Sequence, residues 1–152
     1  MNTQKQVRGQ SMFEVVLALF IITMIIVAVV ILSTNSIANS LFSRSKTQAS
    51  RYSQEAVEWL RNERETNSEY FVVATNTPVY CLSTNPPDFS NTGVCSSNEV
   101  ITGTIFKREV SFTTSDVFSK SIINATVVTS WTDPKGYHEA RAVTEFSDIR
   151  EK

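Results

Sequence analysis

Residues 14–32 read EVVLALFIITMIIVAVVIL, and their reading decides how the rest of the chain is read. Eighteen residues from Val15 to Leu32 carry Thr23 as their only polar side chain, and a carboxylate, Glu14, stands at their entrance. At about 1.5 Å per helical residue the run spans about 27 Å, close to the hydrocarbon thickness of a bilayer. Its β-branched residues suit a strand, but the length excludes one. A helix satisfies its own backbone groups in lipid, so the run predicts a single membrane-spanning helix. Three rival readings remain. A core helix this apolar on all sides needs more protein around it than 152 residues supply. A signal peptide finds small residues at Ser36 and Ala38, yet its apolar core would be overlong and would begin with an acid. A plain signal anchor fits the hydropathy equally well.

Outward from that run, Lys5, Arg8 and the α-amine precede it, while Arg44, Lys46 and Arg51 follow. The N-terminal charges lie nearer, which favours a cytoplasmic N-terminus and a C-terminal domain outside. Between Gly9 and Pro78 there is neither Gly nor Pro, which permits one continuous helix. After Leu32 the pattern turns amphipathic: Ile37, Leu41, Ala49, Tyr52, Ala56 and Leu60 form one stripe at steps of three or four, with a gap near Ser45. Tyr52, Ala56, Trp59 and Leu60 are the expected packing residues between helix and sheet. STNSIANS (33–40) is a poor helix former and predicts a break or frayed turn just beyond the apolar run.

After Asn67 the period changes. EYFVVAT (69–75) and PVYCL (78–82) are short apolar runs rich in β-formers, and ITGTIF (101–106) and REVSFTT (108–114) follow the cysteine loop. NATVVTSW places Ala125, Val127, Thr129 and Trp131 on one face; TDPKG supplies a turn and YHEARAVTEF a partner strand. The expected class is α+β, a long N-terminal helix whose second half packs on an antiparallel sheet of three or four strands. The segments are a membrane helix over 10–32, an amphipathic continuation over 33–66 and a β-rich domain outside the membrane over 67–152.

Function classes narrow by elimination. The net charge is −1, and residues 1–66 hold seven Lys/Arg and five Asp/Glu against seven and ten in 67–152, so no basic field points to nucleic acid. GxGxxG, Walker, HExxH and GxSxG patterns are all absent from the sequence, His138 is its only histidine, and no cofactor or metal motif occurs. An enzyme is not expected. Cys81 and Cys95 match neither a zinc knuckle nor a CxxC pair. In an exported domain they can close the intervening Pro/Asn/Gly loop as a disulfide; in a reducing compartment they remain two thiols.

With Gly9, Gln10 and Glu14 beside an apolar helix, the N-terminus resembles that of type IV prepilins and pseudopilins. The resemblance implies a leader, residues 1–9, removed by a prepilin peptidase that cuts between Gly9 and Gln10 and methylates the new terminus. Glu14 is then the fifth mature residue. It implies a structural role, with other pilin subunits, an assembly platform protein and its ATPase as partners. RYSQEAVEWLRNERE and the hairpin near VTSWTDPKG look most like minor pilins of the V/I type. Two features depart from the family's pattern: Gln10 replaces the usual Phe or Met after the cut, and the apolar helix lacks the Pro and Gly often found in major pilins, which favours a minor pilin or pseudopilin. An ionised acid at a bilayer centre costs about 2.5–3.5 kcal/mol, and an unpaired charge in a protein core costs more. Glu14 is therefore expected to pair with the α-amine of a neighbour's Gln10 and set the axial register; the alternative leaves it among lipid headgroups. Cyclisation of Gln10 to pyroglutamate removes that amine, so the working subunit is expected to carry an open, methylated Gln10. The runner-up reading is an uncleaved, membrane-anchored binding module.

Overall fold

The computed structural model describes residues 12–117 and 120–147, and the side chains of 12–115 and 122–147. In chain order the elements are helix α1 (Met12–Thr66), helix α2 (Ser68–Ala74) and strands β1 (Val79–Cys81), β2 (Lys107–Val117), β3 (Lys120–Asp133) and β4 (Gly136–Ser147). The strands form one antiparallel sheet in the order β1-β2-β3-β4, giving the α+β class that the sequence predicts. Two units divide the chain, Met1–Ser43 and Arg44–Lys152.

In the first unit the described residues are helical throughout, including 33–40, where a break is expected from sequence. Within it Thr34 Oγ1 lies 3.1 and 2.9 Å from the carbonyls of Val30 and Ile31, so its hydroxyl is satisfied inside the helix. No Gly or Pro interrupts the ladder.

In the second unit the later part of α1 lies on the inner face of the sheet. Ala49, Ser53, Ala56, Val57 and Leu60 are buried at helical spacing, whereas Ile37 and Leu41 of the expected stripe are 62% and 57% exposed. The covered stripe therefore begins at Ala49. Ser53 Oγ donates to Thr129 Oγ1 at 2.8 Å, a polar bond at the helix–sheet contact. On β3 the residues Ala125, Val127, Thr129 and Trp131 are all buried, as their alternation predicts. The turn at Pro134 and Lys135 returns the chain as β4, with Asp133 opposite Gly136. Gly136 has φ +125°, a value that favours glycine.

Two sequence readings are corrected. Residues 69–75, rich in β-formers, contribute to α2 and not to a strand. Phe71 and Ala74, three apart, are both buried, and Phe71 meets Phe146 and Phe112 edge-on at 5.1 and 6.2 Å between centroids. Packing of that aromatic ring overrides strand propensity, which is largely a statement about packing anyway. Residues 101–106 form a tight turn: Thr104 N donates to Ile101 O and Ile101 N to Phe106 O. Its two ends, Ile101 and Phe106, are buried with Ala49, Trp131 and Ala140 in a cluster separate from the larger aromatic core.

Candidate functional site

The first candidate is the apolar helix itself. From Met12 to Ile37 every residue is exposed, and no charged residue occurs between Val15 and Ser43. The helix is long and apolar enough to cross a membrane. Between Glu14 and Ser33 its one polar side chain is satisfied within the helix, since Thr23 Oγ1 donates to Phe20 O at 2.8 Å. Water tolerates exposed apolar patches of a few hundred Å² on ordinary monomers, and a bare apolar cylinder of five turns far exceeds that. Lipid is an environment that covers such a surface. Glu14 lies in its first turn, exposed, and has no ion-pair partner among the described residues. Gly9 and Gln10, the expected processing residues, lie outside the described residues.

The second candidate is the cysteine loop. Cys81 and Cys95 form a disulfide with their Cα atoms 4.9 Å apart. The loop it closes runs back along β1: Cys81 N donates to Asn91 O at 2.9 Å and Gly93 N to Val79 O at 2.8 Å. Gly93, at φ +98°, makes the turn away. Cys95 N donates to Glu109 Oε1 at 2.8 Å. Phe89 anchors the loop in the core, its ring 4.7 Å from Trp59 and 4.8 Å from Tyr80. Ser90, through its hydroxyl and its backbone amide, donates to the Asp88 carboxylate and holds its pKa below the usual range. Removing the bridge, as Cys81→Ser with Cys95→Ser, is expected to lower the unfolding free energy by about 3 kcal/mol for a loop of this size. Urea unfolding of the two proteins measures it, and coincident midpoints would mean that the bonds to β1 hold the loop unaided.

The residues expected at the helix–sheet contact divide between the two clusters. Ala56 and Leu60 are fully buried in the larger one, with Trp59 half-buried against it. Tyr52 packs on the smaller, 5.5 Å from Phe106. Sequence reasoning misses Arg108. It is wholly buried, and its guanidinium donates to Thr84 O (2.9 Å), Leu82 O (3.2 Å) and Tyr52 O (3.3 Å), with Glu55 Oε2 at 3.5 Å. Burial pushes its pKa down and the charge of Glu55 pulls it back. The signal was present: Arg108 shares the phase of Val110 and Phe112 along β2, which is the buried phase.

His138 and Asp133 meet at the hairpin turn, 2.9 Å apart, and Asp133 Oδ1 also accepts the Lys135 amide at 2.7 Å. The His138 bond, supported by the Lys135 and Gly136 amides, holds the Asp133 carboxyl below the usual range. This arrangement fixes a turn. Among the described residues no group of three or more His, Cys, Asp or Glu is placed to hold a metal ion. No family model, curated protein or solved structure matches this chain.

Proposed function

We propose that the chain is a structural subunit, a minor pilin or pseudopilin, of a type IV filament system. The observation that carries this reading is the fully exposed, uncharged apolar helix with a single acid in its first turn, followed in sequence by a disulfide-closed α+β domain. A helix of this kind suits lipid and can also pack in a bundle of its own kind, so a subunit can pass from one to the other by exchanging lipid contacts for helix packing. In this reading the subunit starts in the cytoplasmic membrane, with its domain outside and its leader, residues 1–9, facing the peptidase. After cleavage, Glu14 has a defined partner in the α-amine of a neighbouring Gln10, and that pair sets the axial register. The domain then faces outward and selects partners.

Intact mass of the protein recovered from cells tests the processing step. The expected product starts at Gln10 with one added methyl group. A product that retains Met1 supports the uncleaved tether, and a product with cyclised Gln10 counts against the amine–carboxylate pair. Glu14→Ala tests assembly: incorporation into filaments is expected to fall roughly tenfold or more, with the amount in the membrane unchanged. Undiminished incorporation would remove Glu14 from the mechanism.

A further inference from the structure

The sheet ends at β4, and among the described residues no strand lies beyond it. The two-residue turn makes Asp133 and Gly136 the closing hydrogen-bonded pair of the β3–β4 hairpin. Every second residue from Gly136 therefore exchanges its backbone bonds with β3, Ala142 and Thr144 among them. The residues between them turn their N–H and C=O groups to the open side. Two cations from α1 agree with that phase: Lys46 Nζ donates to Glu139 O at 2.6 Å and Arg64 Nη2 to Ser147 O at 2.9 Å. Between these caps Arg141, Val143 and Glu145 point three amides and three carbonyls outward. Their side chains are exposed, Val143 by 66%. Alongside, Val57, Glu58 and Arg61 of α1 join Ala142 and Val143 in lining a groove of about 400 Å³.

We propose that this edge accepts one further strand, an extended segment of a different protein chain running antiparallel to β4 and carrying a base, a β-branched residue and an acid at alternate positions. Main-chain bonds to the three open residues supply the attraction and the alternate side chains supply the selection. With the segment centred on Val143, its base faces Glu145 and its acid faces Arg141; opposite charges directly across a ladder are favourable and like charges unfavourable. Glu145 has no ion pair among the described residues, and Arg141, which donates through Nε to Glu139 at 2.7 Å, keeps the rest of its fork for a second carboxylate. The caps at Glu139 and Ser147 limit the docking window and so fix the register.

A second copy of this chain would satisfy the same charge order through its own Arg141, Val143 and Glu145. The two-fold axis of that pairing stands normal to the sheet and runs the two copies of residues 44–66 in opposite directions, and protection of the edge amides without peptide distinguishes it from capture of a different chain.

The test uses the full chain in detergent micelles and a blocked synthetic peptide, Thr-Lys-Thr-Val-Thr-Glu-Thr, with amide hydrogen exchange read by NMR. The peptide is expected to slow exchange at Arg141, Val143 and Glu145, while Ala142 and Thr144, already bonded to β3, change little. A peptide with Lys and Glu exchanged is expected to bind about tenfold more weakly. Val143→Pro removes an outward amide that β3 does not use, so binding is lost while Ala142 and Thr144 stay protected. Three results would overturn the proposal: no protection at millimolar peptide, equal affinity for the two peptides, or protection of the same amides by self-association without peptide.

Discussion

Arg108→Ala is expected to lower the unfolding free energy by about 3–5 kcal/mol, a large share of the roughly 5–15 kcal/mol that a domain possesses. The guanidinium bonds three carbonyls from two separate segments, Tyr52 on α1 and Leu82 and Thr84 at the start of the cysteine loop. A buried acceptor left without a donor costs on the order of 1–3 kcal/mol, and the vacated volume adds to it. Glu55 contributes less, because its side chain is 42% exposed and 3.5 Å away. Three substitutions separate these causes in urea unfolding of the full chain in detergent. Arg108→Met refills the volume but abandons the carbonyls, so it should recover little. Arg108→Lys keeps the charge, but a compact ammonium cannot serve three carbonyls at once, so it should fall between wild type and Met. Glu55→Gln should cost less than about 1 kcal/mol. A Met variant as stable as the wild type would show that the carbonyls do not need the guanidinium.

Phe71→Ala is expected to cost about 3–5 kcal/mol, although it raises the helix propensity of α2. The ring is fully buried between Phe112 of β2 and Phe146 of β4, so the loss is one of packing. Val73→Ala is the control two residues away. Val73 is 66% exposed on α2, and replacing a β-branched residue there should leave stability unchanged or raise it by a few tenths of a kcal/mol. Were 69–75 a strand, Val73 would share the face of Phe71 and its truncation would be costly too. Thermal unfolding of the pair therefore reads the secondary structure of this segment as well as its packing.

The legible parts of the fold are those with a period. Alternation over 124–131 placed the inward residues of β3, and the absence of Gly and Pro after Gly9 announced α1. Residues 69–75 misled because a seven-residue apolar segment carries too few repeats to tell a period of 3.6 from one of 2, and a distant ring contact decided the matter. The continuity through 33–40 was not legible, because low propensities weigh little where neither Gly nor Pro interrupts a long helix. Arg108 escaped because a charged residue is read as exposed by default, although its phase along β2 places it inside. The two cationic caps on β4 were beyond sequence reasoning, since Lys46 and Glu139 lie 93 positions apart.

The loop segment that runs along β1 gives the sheet a valence. With Asn91 and Gly93 bonded to Cys81 and Val79, the outer side of the short first strand is occupied, whereas Arg141, Val143 and Glu145 of β4 remain open. Head-to-tail pairing of the β4 of one domain with the β1 of the next is therefore blocked. An ordinary sheet with two free margins is bivalent and can propagate head to tail without limit, which is how unprotected edges grow into fibres. By covering its first strand with a disulfide-closed loop, the domain withdraws that strand from such propagation.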